Sequence, residues 1–338
     1  MLKHTVLHLT WASGALAPFR LANRGKLLIL TYHRFSDRDD LVSTSERAFR
    51  QQLEYLTAHY KIVSLSQIVR WRTEGVRVPA GCAAITIDDG YRDAYEIAFP
   101  ILARFNAPAT IFAVTDFVDR KAWLWTDKMR FLMSRARAAE FETVIAGRGL
   151  RLELGGDAAT RRKTASRVNA VLKTLPDEAK EETIARIASS LRVELPDLPP
   201  PEFSAATWSE LREMESAGLE IGSHTLTHPM LTKVNDNRLY RELNESGSRL
   251  EFMLGHRVEQ FCYPNGAHDA RVEQAVAAAG YRCVVTTDRG MNSRWCDLMA
   301  LRRIDSELDL PHFVQSTSGA EDMKSKLRAL FGEGRPTP

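Results

Sequence analysis

The sequence of 338 residues holds little cysteine: four residues, Cys82, Cys262, Cys283 and Cys296, with no C-x-x-C pair. That scarcity excludes a disulfide framework and a ribbon-type zinc site, and it predicts small buried thiols in a reducing compartment. There is no run of 18 apolar residues, so no membrane-spanning helix is expected. Nor is there a charge excess. The 46 Lys+Arg stand against 43 Asp+Glu, a net charge of +3, and a nucleic-acid binder would need a strongly basic face to neutralise phosphates. The order expected of a signal peptide is also missing, because Arg20 and Arg24 follow the weakly apolar stretch 16–21 instead of preceding it. A cytoplasmic protein is expected. Residues 1–25 read as an N-terminal helical segment. Its amphipathic part, 4–22, is expected to cover one end of the fold or to make peripheral contact with the inner face of a membrane.

What the chain does have is alternation of strand and helix. Residues 26–32 (KLLILTY), 82–87 (CAAITI) and 109–114 (ATIFAV) are continuous apolar runs, as expected of strands buried on both faces. Further strands are expected at 61–64, 219–222, 258–263, 282–286 and 301–304, with helices between them. The helix that starts after Thr207 carries a capping-box signature, with Glu210 three residues on. Seven or eight short strands in this rhythm predict a distorted parallel (β/α)7-8 barrel, with an open doubly wound sheet as second choice. The barrel is expected from 26–118 and 204–320. Between them, 119–203 reads as a mostly helical insertion or lid, with little strand character. Its first part, 120–173, has 13 Lys+Arg against 5 Asp+Glu, and Pro196, Pro199, Pro200 and Pro201 end it as a stiff connector.

In a parallel α/β fold the chemistry sits at the carboxyl ends of the strands. Four polar clusters fall there: Tyr32-His33, Asp88-Asp89-Gly90, His224…His228, and Tyr263-Pro264-Asn265-Gly266. Adjacent residues on a strand point to opposite faces, so Asp88 and Asp89 are free to take two different jobs. Two histidines four apart can converge on one ion, and a carboxylate from another strand end completes a triad with open positions for water and substrate. Neutral imidazole with carboxylate suits one divalent ion, Zn2+ first, and Co2+, Ni2+ or Mn2+ as well.

These residues carry a family resemblance. Thr86-Ile87-Asp88-Asp89-Gly90 resembles the T-F-D-D-G motif of the polysaccharide deacetylases (carbohydrate esterase family four, the NodB-type homology domain). Residues 223–229 (SHTLTHP) resemble that family's H-[ST]-x-x-x-H-P motif, and 261–266 (FCYPNG) resembles its F-R-x-P-Y-G. The resemblance spans 26–118 and 204–306. It implies a metal-dependent hydrolase that removes acetyl groups from N-acetylated sugars. Asp89, His224 and His228 would be the metal ligands and Asp88 the catalytic base, with the backbone N–H of Tyr263 as oxyanion donor. Residues Tyr263, Pro264 and Asn265 would line the substrate, and Trp125, at the start of the insertion, is a candidate for stacking on a sugar face.

Three departures from the family pattern bear on the site. Ile87 replaces Phe, keeping a bulky apolar residue. Cys262 stands where many members have the Arg that pairs with the catalytic aspartate, and a thiol cannot be that cation. Arg303 is the candidate replacement. No late L-x-H motif is present, since His312 in Leu310-Pro311-His312 fits it poorly. Tyr32-His33 resembles the Y-H element of the branch with apparently permuted motifs, which acts on N-acetylglucosamine polymers, and this implies His33 as the general acid, with His268 as competitor. The substrate is then an N-acetylglucosamine-type polysaccharide, oligosaccharide or lipid-linked precursor. A non-catalytic carbohydrate-binding relative is the alternative, but it need not keep both base and ligands. A two-carboxylate glycosidase would leave the histidine pair without a role.

Overall fold

The computed structural model describes residues 15–37, 43–307 and 309–320. Seven strands form a closed parallel barrel: β1 Leu28–Tyr32, β2 Cys82–Ile87, β3 Thr110–Ala113, β4 Glu220–Ser223, β5 Gln260–Cys262, β6 Cys283–Arg289 and β7 Leu301–Asp305. Each pairs with the next in chain order. Closure is made by β1, which runs beside β2 (Leu28↔Ala83 to Tyr32↔Ile87) and beside β7 (Leu30↔Ile304, Thr31↔Asp305). The expected barrel is thus the observed one, and the open sheet is excluded. An eighth, two-residue strand at Lys61–Ile62 only wedges against the first residues of β2.

Alternation along the strands sorts the side chains. Leu28, Leu30 and Tyr32, with Ala83, Ile85 and Ile87, face the outer helices. Ile29, Ala84, Phe112, Cys262, Val285 and Leu301 gather in a second cluster inside the barrel. The interior is packed solid: a Cβ on Gly222 would meet the Phe112 ring at 2.6 Å, so only glycine fits opposite that ring. The inward parity continues upward to Thr31 and His33, to Thr86 and Asp88, and to Arg303. The sheet itself therefore aims these groups at the C-terminal mouth.

Between β3 and β4 lies the insertion. Its helices are α1 Trp125–Arg135, α2 Ala158–Leu172 and α3 Asp177–Leu191. They bury Met129, Leu132, Val168 and Ile187 in a core of their own. One feature differs from the sequence expectation. Glu140–Ile145 and Arg148–Glu153 form an antiparallel hairpin, turned through Ala146 and Gly147 at φ 52° and 73°. Two consecutive positive φ angles are what a two-residue hairpin turn needs. After the insertion, α4 (Trp208–Ser216) carries both hydrogen bonds of the Thr207/Glu210 capping box. It is followed by α5 (Asp236–Leu254) and, after β7, α6 (Leu310–Ser318). Of the N-terminal segment, Ala17–Ala22 is helical and Asn23 Nδ2 donates to Ser318 O of α6 at 3.2 Å; residues 1–14 lie outside the described residues. Among the described residues no helix is long and apolar enough to cross a membrane.

Candidate active site

The β2 strand ends on Asp88-Asp89, and there the chain turns into the left-handed region, with φ 74° at Asp89 and 78° at Gly90. A Cβ on Gly90 would meet the Ala113 backbone at 3.2 Å. Beyond β4 the loop 224–228 is strained in the same way, with φ 72° at Thr225 and 62° at His228. Such angles are costly for a β-branched residue and persist only where the surroundings fix them. Here the fixing group is Glu242 of α5, which is fully buried. Its Oε2 accepts the backbone N–H groups of Leu226 (3.0 Å) and Thr227 (2.8 Å), and its Oε1 accepts the Thr227 hydroxyl (2.7 Å). Arg238, one turn earlier, donates to the same Oε1 at 2.7 Å.

The result is convergence. Nε2 of His224 and Nε2 of His228 each lie 3.5 Å from Asp89 Oδ1, and the two rings are 4.7 Å apart. Nδ1 of His224 sits 2.8 Å from Cys262 O and donates its hydrogen there, so Nε2 is the nitrogen that faces Asp89. Burial would lower the His224 imidazole, but Cys262 and Asp89 beside it push it up, so an ion has to displace the Nε2 proton. Ligand atoms about 2.1 Å from a tetrahedral zinc lie roughly 3.4 Å from one another. The 3.5 Å separations fit that edge, and three ligands leave a fourth position open. Burial and the neighbouring His224 push the His228 imidazole down to about 3, so it is neutral, as a ligand must be. Burial would raise the Asp89 carboxyl, but its contacts with His224 and His228 hold it well below the usual range. Asp88, His224 and Cys262 also lie close together. That set fits an ion less well, because Asp88 is committed to a cation, the near nitrogen of His224 is spent on a carbonyl, and burial pushes the Cys262 thiol up.

Asp88 has the opposite surroundings. Arg303, 1% exposed on β7, grips it with two parallel bonds of 2.7 Å, Nη1 to Oδ1 and Nη2 to Oδ2. The guanidinium is itself held by Thr286 O (2.7 Å) and Thr86 Oγ1 (2.9 Å), and the Cys262 thiol donates to Asp88 Oδ2 at 3.4 Å. Burial raises the Asp88 carboxyl, but the Arg303 fork outweighs it and brings it down to about 2. His33, half exposed at the end of β1, places Nε2 3.8 Å from Asp88 Oδ2.

Other expected residues lie elsewhere. The Tyr263 N–H is donated to Val285 O at 3.2 Å within the sheet, so it is not free to hold an oxyanion. The Tyr263 ring and Pro264 are buried, the ring against Val272 and Val276 in the outer layer, which removes both from the substrate surface. Asn265, with φ 55°, has a buried Nδ2 without a partner among the described residues. Trp125 belongs to the insertion core, 3% exposed, with Lys180 Nζ 4.8 Å above its ring, because a large apolar ring at the head of α1 is needed to fill that small core. His268 stacks on Tyr263 and bonds Gly266 O at 2.9 Å, and His312 pairs with Asp309 at the start of α6. Neither competes with His33 for Asp88.

Comparison with known proteins settles the kinship. The profile of the family described as polysaccharide deacetylase matches residues 75–146 and 157–284, more than half of the chain. The chain belongs to the polysaccharide deacetylase family. The match reaches into the insertion, which the motif resemblance left uncovered. It holds Asp88, Asp89, His224 and His228, and it leaves His33 and Arg303 outside. A Bacillus subtilis (strain 168) protein, YxkH, which carries a polysaccharide deacetylase name, is 21% identical over 280 residues, 82% of this chain and 71% of its own length. A poly-β-1,6-N-acetyl-D-glucosamine N-deacetylase of Staphylococcus epidermidis is 27% identical over 111 residues, 28% of this chain and 38% of that protein. In fold, this deacetylase superposes on Streptococcus pyogenes deacetylase PplD with a TM-score of 0.56 at 20% identity, covering 87% of this chain and 98% of that one. IcaB from Ammonifex degensii gives 0.56 at 17% identity, over 87% and 97%.

One residue of this deacetylase escaped the sequence reading, and a signal for it existed. Glu242 lies on the apolar face of α5 with Leu239, Leu243 and Leu250. A carboxylate in such a stripe is either unstable or engaged, and Glu242 is engaged with the loop that carries both histidines.

Proposed function

We propose that this polysaccharide deacetylase removes N-acetyl groups from an N-acetylglucosamine-type polysaccharide, oligosaccharide or lipid-linked precursor, using one divalent ion held by Asp89, His224 and His228. The observation that carries the reading is the pair of imidazole Nε2 atoms, each 3.5 Å from one oxygen of Asp89, beside a second carboxylate that belongs to Arg303. The names of relatives that act on poly-β-1,6-N-acetyl-D-glucosamine support the sugar class. Two nitrogens, one oxygen and an open position favour zinc, and cobalt, nickel or manganese are accepted by the same donors. Four free, buried cysteines favour a cytoplasmic setting.

When bound, the ion supplies Lewis acidity, polarising the acetamide carbonyl and acidifying the attacking water. That matters here because a carboxylate at about 2 is a weak base and requires an acidified proton donor. Asp88 takes the proton of the water. Arg303 keeps Asp88 ionised and fixes both of its oxygens. The water oxygen bonds to the carbonyl carbon, the C–N bond breaks, and His33 delivers a proton to the departing nitrogen. Acetate and a free amine result. Acetate release from N-acetylglucosamine oligomers, measured before and after chelation and after zinc is restored, tests the reading. We expect activity that chelation abolishes and zinc returns. Sugar binding without acetate release in the zinc-loaded protein would make it a binding relative, and activity indifferent to chelation would remove the ion from the chemistry.

A further inference from the structure

Beside the catalytic centre, the insertion and the barrel rim enclose a groove of about 520 Å³. Its rim is Arg34, Arg130, Arg161 and Arg162, and its floor is largely apolar, including Met133, Ala165 and Phe203. Arg34 follows His33 directly. The two side chains diverge, His33 toward Asp88 and Arg34 to 4.1 Å above the Tyr91 ring, so adjacent residues of one loop serve the catalytic mouth and the groove rim.

The charges of the rim are unevenly compensated. Arg34 pairs with Asp93 at 2.5 Å and Arg130 with Asp127 at 2.8 Å. Arg161 instead spends its donors on the carbonyls of Met133 (2.6 Å) and Ala136 (2.8 Å), at the end of α1. Among the described residues no carboxylate lies within ion-pair distance of Arg161 or Arg162. The one acid on the lining, Glu202, turns to Arg135 at 3.3 Å. Asp157 at the start of α2 interacts electrostatically with Arg162 without an ion pair. Two guanidinium groups that no carboxylate clasps thus stand above a floor of thioether, methyl and phenyl groups. A neutral glycan chain would use neither half of this groove. A molecule with a phosphate joined to a hydrocarbon chain would use both, because guanidinium forks match phosphate oxygens and the apolar floor gains by covering the chain.

We propose that this groove is a subsite for a lipid phosphate, the carrier end of a substrate whose N-acetylated sugar reaches Asp88 and the histidines. The proposal rests on the deacetylase reading above and narrows its substrate to the lipid-linked class. It also gives a use to the basic excess of 120–173.

The test is calorimetric titration of the full chain with dodecyl phosphate, against inorganic phosphate and dodecyl maltoside. Ser134, exposed on the groove, and Arg162 are the positions to change, since neither touches the catalytic groups. We expect dodecyl phosphate to bind at least about tenfold more tightly than either control, and Arg162→Gln and Ser134→Glu each to weaken it about tenfold. In turnover, Arg162→Gln should raise KM about tenfold for a dodecyl-phosphate-linked N-acetylglucosamine, while kcat and the neutral oligomer are unaffected. Inorganic phosphate binding as tightly as dodecyl phosphate would leave a free-phosphate site. Equal binding of the maltoside would leave a plain apolar groove, and indifference to both substitutions would put the binding elsewhere; each overturns the proposal. Loss of the deacetylase reading would show instead as no acetate from any substrate, with the titration still deciding the groove.

Discussion

Two carboxylates adjacent in sequence, Asp88 and Asp89, belong to two sides of the site that are built on opposite plans. The Asp88 side is saturated. Arg303 satisfies both oxygens and is locked by the Thr86 hydroxyl and the Thr286 backbone carbonyl, inside the barrel mouth. The Asp89 side is held only from behind. Cys262 O orients His224, Glu242 braces the strained loop, and the faces of the three ligands are turned to one another at 3.5 Å. A fixed cation makes one acid a permanent anion. The other acid is left facing two imidazoles, where the proposed ion would sit. Identical residues acquire different chemistry from what surrounds them.

Separating the two sides by mutation gives the largest expected effect. Asp88→Asn should lower acetate release by about 10²–10⁴-fold while stoichiometric zinc remains by elemental analysis. Loss of the ion in that variant would merge the two sides into one. Next comes the brace. Glu242→Gln should weaken zinc affinity by about 10–100-fold in a chelator competition, with the Asp88 side intact, so that saturating zinc returns most of the turnover. Unchanged affinity would show that the loop holds its shape without that carboxylate. The smallest effect is on stability. Asp88 falls from 3.8 to about 2 on folding, so its contribution is complete above pH 4 and is lost as the pH drops through 2. That is about 2 kcal/mol. Denaturant titrations between pH 4 and pH 2 should show this additional slope in the wild type and not in Asp88→Asn.

The barrel was legible because strands buried on both faces are written as unbroken apolar runs, and the residues that follow them sit at the mouth. Arg303 was readable only as a candidate for the cation that Cys262 cannot be; its inward direction follows from parity, two positions after Leu301 on the last strand. Contacts made by backbone groups were not readable. Whether the Tyr263 N–H is free depends on the register of β5 against β6, and no side chain encodes that. Trp125 looked like a sugar platform because an aromatic near a site and an aromatic in a small core have the same letter. The hairpin at 140–153 was hidden for a further reason. Its faces alternate, with Phe141, Thr143 and Ile145 on one strand, but the other face mixes Glu140, Glu142 and Arg151 with the exposed Val144, and Ala146-Gly147 replaces the Asn-Gly that usually announces such a turn.

Closure of the barrel between its first and last strands carries a temporal consequence. His224, His228 and Asp89 are all synthesised, along with the Glu242 brace, before residue 260. The guanidinium that disciplines Asp88 arrives only with β7, and it docks where β7 zips onto β1. At residue 260 the His224 ring still lacks its Cys262 carbonyl, and a domain folds as a unit, so both halves of the site become rigid only when the last strand is in place. The ring is sealed and the catalyst is armed in one and the same event.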